Sequence, residues 1–281
     1  MNVREIDAKK ITNAVEEIFK KACLVPPQEV TELLCRSLAK EESAQGREIL
    51  SQLIKNNGLA EQQNIPSCQD TGMAVVFAEI GQDVHILGGL FEDAVNEGVR
   101  RAYGKNCYRK SVLSAIERKN TQDNTPAIIH TRIVAGDKIK LIAAPKGFGS
   151  ENMSAIKMLK PADGVRGIID FVIETAKNAG GSPCPPVVLG VGIGGTFEYA
   201  AYMAKRELLR KIDTPSPDPV LAEIEREIKE GINALGMGPM GLGGNTYCLA
   251  VHAAQFPTHL AGLPVAVNCC CHAVRHAETE M

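Results

Sequence analysis

Tryptophan is absent from this chain, and 281 residues hold only five Tyr and seven Phe. An aromatic platform for stacking nucleic-acid bases is therefore not expected. Basic charge is not in excess either: 31 Lys and Arg face 33 Asp and Glu, for a net charge of −2. Neither nucleic acid nor an anionic membrane surface is expected as a partner. No apolar run approaches the ~20 residues needed to cross a bilayer. The N-terminal stretch "MNVREIDAKKITNAVEEIF" carries acids throughout and lacks the apolar core of a signal peptide. A cytoplasmic protein is predicted. The nine cysteines are odd in number, and outside the run Cys269 to Cys271 their spacings are long and uneven. That pattern disfavours a disulfide framework and leaves metal ligation or buried thiols.

What is present is an ordinary globular composition, 44% hydrophobic and 23% charged, sufficient for a sizeable core. The first third reads as helical. Ile11, Val15, Ile18, Phe19 and Ala22 share one helix face. A second helix opens on prolines and stacks Val30, Leu33, Leu34 and Leu38, with Cys35 beside the stripe as a small buried hydrophobe. A third holds Ile49, Leu50, Leu53 and Ile54 and is expected to stop at "NNG", residues 56–58. Strands are predicted at 73–81 and 84–89, a helix at 91–104, and a hairpin over 127–145 turning at Gly136-Asp137. A helix at 164–179, the strand "PVVLGVGI", helices near 197–212 and 218–234, and the runs "YCLAVHAAQ" and "LPVAVN" complete the pattern. The fold class is mixed α/β, with a helical N-terminal part of about 1–60 followed by mixed sheets flanked by helices. No repeat, low-complexity tract or linker is visible, so one intertwined domain over 1–281 is expected.

Three cysteines sit in turn-rich loops at strand edges, where a loop can aim a side chain into a cleft. Cys68 lies in "IPSCQDTGMAVV", Cys184 in "GGSPCPPVVLGVG", and Cys271 follows the run "LPVAVN". Their separation excludes a local zinc knuckle, but they can converge in a fold. Thiolates suit iron–sulfur clusters, which usually take four cysteines; three would leave one iron open as a Lewis acid. Buried structural thiols are the alternative. His259 in "FPTHLAGLPVA" is either a turn contact or a site residue, and Arg109 in "NCYRKS" is the favoured carboxylate clamp, with Arg100, Arg101 and Arg275 as rivals.

"VVLGVGIGGTFEYAAYMAKRELL" contains Gly190-x-Gly192-x-x-Gly195 between a strand and a helix, the setting of a dinucleotide fingerprint. The acid expected at the end of a following strand is missing, because "IDTPSPDP" is a proline-rich turn. Close backbone approach to a bulky ligand, or anion binding by backbone N–H groups, is the preferred use of these glycines. "KGFGSENMS" is a second flexible loop, with Ser150 as a candidate helix N-cap, and "GMGPMGLGGNTYC" is a third.

Taken together, "PSCQDTG", "GSENMS", "SPCPPVVLGVGIGGT", "PTHLAGLPVAV" and "CHAVRH", in this order, resemble the α subunit of two-subunit class I fumarate hydratases. The L-tartrate dehydratase α subunit is close kin. The resemblance covers nearly the whole chain from about residue 5. It implies a 4Fe–4S cluster held by Cys68, Cys184 and Cys271 with the fourth iron open to substrate. Cys269 and Cys270 depart from the family pattern and leave the choice within the trio open. Gln69 and Asp70 match substrate-site positions, with Asp70 similar to the proton donor for the leaving hydroxyl. His259 matches a substrate-binding histidine, Arg109 a substrate-carboxylate arginine, and Gly149, beside Ser150, falls where a Gly-rich loop approaches substrate.

The resemblance further implies a separate β subunit that supplies the base, in an α2β2 assembly acting on a small dicarboxylate. Reversible hydration of fumarate to L-malate is the expected reaction. Dehydration of L-tartrate by the same machinery and a non-catalytic iron–sulfur protein with a fourth cysteine ligand are the alternatives, and a dinucleotide enzyme stands behind them.

Overall fold

The computed structural model describes residues 3–281. In chain order it holds β1 (Arg4–Asp7), α1 (Ala8–Leu24), α2 (Gln28–Lys40), α3 (Ala44–Gln63), β2 (Met73–Gly81) and β3 (Val84–Leu87). Next come α4 (Phe91–Lys105), β4 (Ile128–Val134), β5 (Ile139–Lys146), α5 (Phe148–Glu151), β6 (Ala155–Leu159) and α6 (Gly164–Ala179). The last third carries β7 (Val187–Gly194), α7 (Phe197–Glu207), α8 (Pro219–Asn233), β8 (Cys248–Phe256), β9 (Leu263–Cys270) and β10 (Ala277–Glu280). The fold is mixed α/β with a helical N-terminal region.

The chain divides into two compact units, each assembled from separated stretches. The first comprises the described residues through Pro26, Gly58–Phe148 and Arg275–Met281; the second comprises Pro27–Asn57 and Gly149–Val274.

In the first unit, α1 begins at Asp7, whose carboxylate accepts the Lys9 N–H at 2.7 Å and satisfies a donor that the first turn leaves open. The predicted stripe Ile11, Val15, Ile18, Phe19 and Ala22 is buried against Val95, Val99 and Tyr103 of α4 and Val76 and Leu141 of the sheet. Each large apolar side chain so buried contributes about 1.5–3 kcal/mol. The sheet order is β10-β5-β2-β4. The expected hairpin over 127–145 is not formed. Both strands exist, but β2 lies between them, parallel to β4 and antiparallel to β5. The intervening turn instead arches over the end of β2, where the Gly81 N–H meets Lys138 O and the Asp83 N–H meets Gly136 O. The reason is burial. β2 is apolar on both faces and belongs at the sheet's centre, whereas β4 is largely exposed. A parallel pair, β1 with β3, stands apart from this sheet.

The second unit is built on the sheet β6-β9-β7-β8. β7 is buried along its whole length, parallel to β8 and antiparallel to β9. Leu189, Val191 and Ile193 pack with Ile168 and Val172 of α6 and Ile224, Ile228 and Ile232 of α8. The alternate residues face the other way, toward α7, so both faces of this strand are covered. Val30 and Leu34 of α2 and Leu50 and Leu53 of α3 form a further cluster with Val188 and Leu249.

Three helical details differ from expectation. α7 ends at Glu207, short of the expected 212. α3 runs through "NNG" to Gln63; Asn57 is buried and donates to Thr31 Oγ1 at 3.2 Å rather than ending the helix. Cys35 is exposed rather than packed with the α2 stripe.

Candidate functional site

In the first unit the loop between α3 and β2 carries Cys68, Gln69 and Asp70. Cys68 and Asp70 are half-buried and Gln69 is exposed. The Cys68 thiol points its hydrogen at Gln69 Oε1, 3.6 Å away. Asp70 is clamped by backbone donors: Oδ1 accepts the Gly72 N–H and Oδ2 the Phe148 N–H, both at 3.0 Å. The two residues that follow are buried, and their polar groups are met from within the unit. The Tyr103 hydroxyl lies 2.8 Å from Thr71 O and 3.0 Å from Gly72 O, and Asn124 Nδ2 donates to Gly72 O at 3.1 Å. Thr71 Oγ1 donates to Arg109 O at 3.2 Å, which fastens the Arg109 loop to the Asp70 loop. The Arg109 side chain is exposed.

Burial holds the Tyr103 phenol well above its usual range, so it remains a donor. Burial likewise pushes the Cys23 thiol up to about 11, against a smaller downward pull from Arg275. Cys23 is thus a core thiol in character.

Sequence reasoning ranked Arg275 only as a rival and passed over Lys146; both are buried cations beside this loop. A Cβ placed on Gly147 would stand 3.2 Å from Asp70 Oδ2 and 3.4 Å from an Arg275 Nη2. Lys146 Nζ reaches Gly147 O at 3.3 Å. Their signals are the lysine that ends the apolar strand β5 and the arginine inside "CHAVRH".

In the second unit the sheet register collects the other candidates. Cys270 pairs with Val188, so Cys271, one residue further on, lies beside the start of β7. Cys184 is three residues before that start. Cys184 holds φ +55°, an uncommon conformation for a residue with a Cβ and one that recurs at functional sites. Its N–H is bound to Gly181 O, and Pro185 O accepts the Met240 N–H. The thiol itself is exposed. Gly149 stands against this turn, its Cβ position 3.5 Å from Ser182 O. Ser150 is buried inside α5 rather than serving as an N-cap. The loop after it is pinned to β9, because Ser154 Oγ accepts the Cys269 N–H at 3.1 Å and Asn268 Nδ2 donates to Glu151 and Ser154. Gly149, Ser150, Cys184 and Cys271 therefore gather at one end of one sheet.

The same register sorts the cysteine trio. Cys269 is 1% exposed, packed in the core and hydrogen-bonded through Sγ to Met153 O. Cys270 is half-buried and packs against the α2–α3 cluster. Cys271 is the first residue past the strand and is half-buried. Cys248 is another core thiol, pushed up to about 12 chiefly by burial.

His259 is at the other end of the sheet. It lies between β8 and β9, exposed, with Nδ1 accepting the Ala261 N–H at 3.2 Å. Its loop is tied to Gly195 O by Thr258 Oγ1 at 2.8 Å. The eight residues of β9 extend about 26 Å, so His259 is not grouped with Cys184 and Cys271.

The glycine fingerprint also has a different use. A Cβ at Gly190 would come within 1.9 Å of Ala204 O, and one at Gly192 within 2.0 Å of Ala200 O. These glycines admit the backbone of α7 rather than a ligand, which corrects the sequence expectation.

No described group of three or more His, Cys, Asp or Glu is arranged to hold a single metal ion. The chemistry of the donor set nevertheless fits an iron–sulfur group. Cys68, Cys184 and Cys271 are solvent-accessible thiols in loops that lead to or from strands, whereas Cys23, Cys248 and Cys269 are sunk in cores; Cys35, Cys107 and Cys270 are accessible too, on a helix, after a helix and at the end of β9. No described helix is long and apolar enough to cross a membrane.

A family model for fumarate hydratase (Fumerase) matches residues 12–280. A Methanocaldococcus jannaschii protein named "Putative L(+)-tartrate dehydratase subunit alpha" is 42% identical over 275 residues, covering 95% of this chain and 96% of its own. The L(+)-tartrate dehydratase subunit alpha of Escherichia coli strain UTI89 is 31% identical over 270 residues, covering 95% of this chain and 89% of its own. The protein of the same name from Shigella boydii matches to the same extent. Likeness of this length reaches every loop described above, and the chain belongs to the fumarate hydratase (Fumerase) family, a family of hydro-lyases.

Proposed function

We propose that this chain is the α subunit of a two-subunit hydro-lyase of the cytoplasm that adds water to fumarate to give L-malate and catalyses the reverse elimination. Cys68, Cys184 and Cys271 would hold a 4Fe–4S cluster, which when bound supplies a Lewis acid for a substrate oxygen. The observation that carries this is the sorting of thiols in the second unit: Cys184 and Cys271 reach one sheet end accessible, while Cys269 goes into the core.

The chain's own residues take the following parts. Asp70 gives the leaving hydroxyl its proton; fixed by one N–H on each oxygen, it keeps its orientation while a proton moves. Gln69 is released from the Cys68 thiol once that thiol is a thiolate, because the contact needs the S–H hydrogen, and its amide can then turn to substrate. Arg109 forks onto a substrate carboxylate. Gly149 leaves room for substrate beside the Cys184 turn, with Ser150 behind it. His259, at the far end of the sheet, would act on the site of a second copy. That suits an α2β2 assembly in which the β subunit supplies the base.

The names of the relatives support the α-subunit reading and favour a second substrate, L-tartrate. The test is anaerobic reconstitution with the partner subunit, followed by assays with malate, fumarate and tartrate. A kcat/KM for malate at least about tenfold above that for tartrate, equivalent to 1.4 kcal/mol in the transition state, supports the fumarase reading. The reverse ratio assigns the tartrate reaction. Absence of both turnovers in a cluster-loaded complex ends the proposal.

A further inference from the structure

At the same end of the second unit's sheet as Cys184, α2, α8 and the start of β8 border an open cleft of about 430 Å³. Three cations line it: Arg36 and Lys40, one turn apart on α2, and Lys229 on α8. Ser37, Asn245 and Thr246 add hydrogen-bonding groups to the wall. Among the described residues no carboxylate lines this cleft, while Asp213 and Glu225 line the adjoining one that shares Arg36 and Lys229. Arg36 has only distant neighbours, Glu32 at 3.7 Å and Asp213 at 3.8 Å, on exposed side chains, and such pairs bind weakly. Among the described residues neither Lys40 nor Lys229 has a carboxylate partner. The buried acid Glu41 does not line the cleft. Its oxygens accept the N–H groups of Ser43, Asn245 and Thr246, which makes it a rigid brace for one wall.

Three like charges around one cleft repel one another, and the acids beside Arg36 offset this only in part because no described carboxylate reaches Lys40 or Lys229. A ligand of opposite sign offsets the remainder. The volume is that of a small-molecule site, and a guanidinium with two ammonium groups calls for several acceptor oxygens. We propose that this cleft binds a small anion carrying at least two negative charges on phosphate or carboxylate oxygens. None of its lining residues is among those assigned to turnover.

Isothermal titration of the full chain with inorganic phosphate and, separately, with tricarballylate tests this. Saturable one-to-one binding of at least one probe is expected, with the tighter probe identifying the acid group. Lys229→Gln and Lys40→Gln should each weaken binding about tenfold, as expected for loss of a charge-assisted hydrogen bond. Arg109→Gln should leave it unchanged. Lys40 is exposed, so its variant remains informative if Lys229→Gln folds poorly. No saturable binding of either probe, binding unaltered in the folded lysine variants, or binding lost in Arg109→Gln would each overturn the proposal.

Discussion

Cys68 and Cys184 are both loop thiols next to a buried strand, yet the two units fasten them by different means. Around Cys68 the backbone is irregular, and side chains from elsewhere in the unit satisfy it: Tyr103 and Asn124 on carbonyls, Thr71 on the Arg109 loop, Asp70 on two N–H groups. Around Cys184 and Cys271 the sheet does the positioning. Strand register sets the lateral neighbours, and turn backbone bonds set the exit. A site held by side-chain hydrogen bonds should fail gradually, one bond at a time. A site held by register should fail with the sheet, because a slip re-aims every residue at once.

The sharpest break in that comparison is steric. Gly192→Ala drives a Cβ into the carbonyl of Ala200 and forces α7 off β7. The second unit should lose about 3 kcal/mol or more, measured by denaturant unfolding, and Cys184 and Cys271 should become more reactive to thiol reagents together. In the first unit the matching change is Tyr103→Phe. It removes the hydroxyl shared by Thr71 O and Gly72 O in a buried setting, and should cost about 1–3 kcal/mol. Thiol reactivity should rise at Cys68 while Cys184 stays as it was.

A smaller effect concerns pH. His252 is buried in the second unit between Glu207 O and Ile212 O, facing Arg210 and Glu225, and burial, aided by Arg210, holds its pKa below the usual histidine range. The unfolded chain then binds more protons than the folded one as pH falls through about 6.5. Stability should fall with acidification from pH 7.5 to 6, by at most about 1.4 kcal/mol per pH unit for one proton. His252→Gln should flatten that slope. Glu207, held above the usual carboxylate range by burial, works in the opposite direction.

Much of this fold was readable wherever burial is one-sided. The stripe of α1 repeats at helical spacing and is buried, and α4, α6 and α8 lie close to their expected limits. Strand existence was readable for β2, β4, β5 and β7, but partner choice was not. "AIIHTRIV" and "KIKLIAAP" read as neighbours because only a short turn parts them, and nothing local says that the more apolar β2 separates them. The short edge strands β1, β6 and β10 carry too few residues to show a period. The glycines of "GVGIGG" looked like a ligand loop because sequence shows only the missing side chain, not the helix that fills its place. The missing linker has a physical reason: the chain passes between the two units repeatedly, so no single stretch divides them. Within the candidate site, residue types and loop settings were legible. The division of the trio, the buried Lys146 and Arg275, and the remote place of His259 required register.

Iron content and cluster spectroscopy after anaerobic reconstitution of the complex, compared between Cys271→Ser and Cys269→Ser, test the central assignment most directly. Cys271→Ser should lose the cluster and reduce turnover by more than about 100-fold, beyond what outer-shell changes around metal sites produce. Cys269→Ser should keep iron and turnover and lose only core stability. A Cys271→Ser complex with full iron and full turnover, or a Cys269→Ser complex without either, would contradict the account.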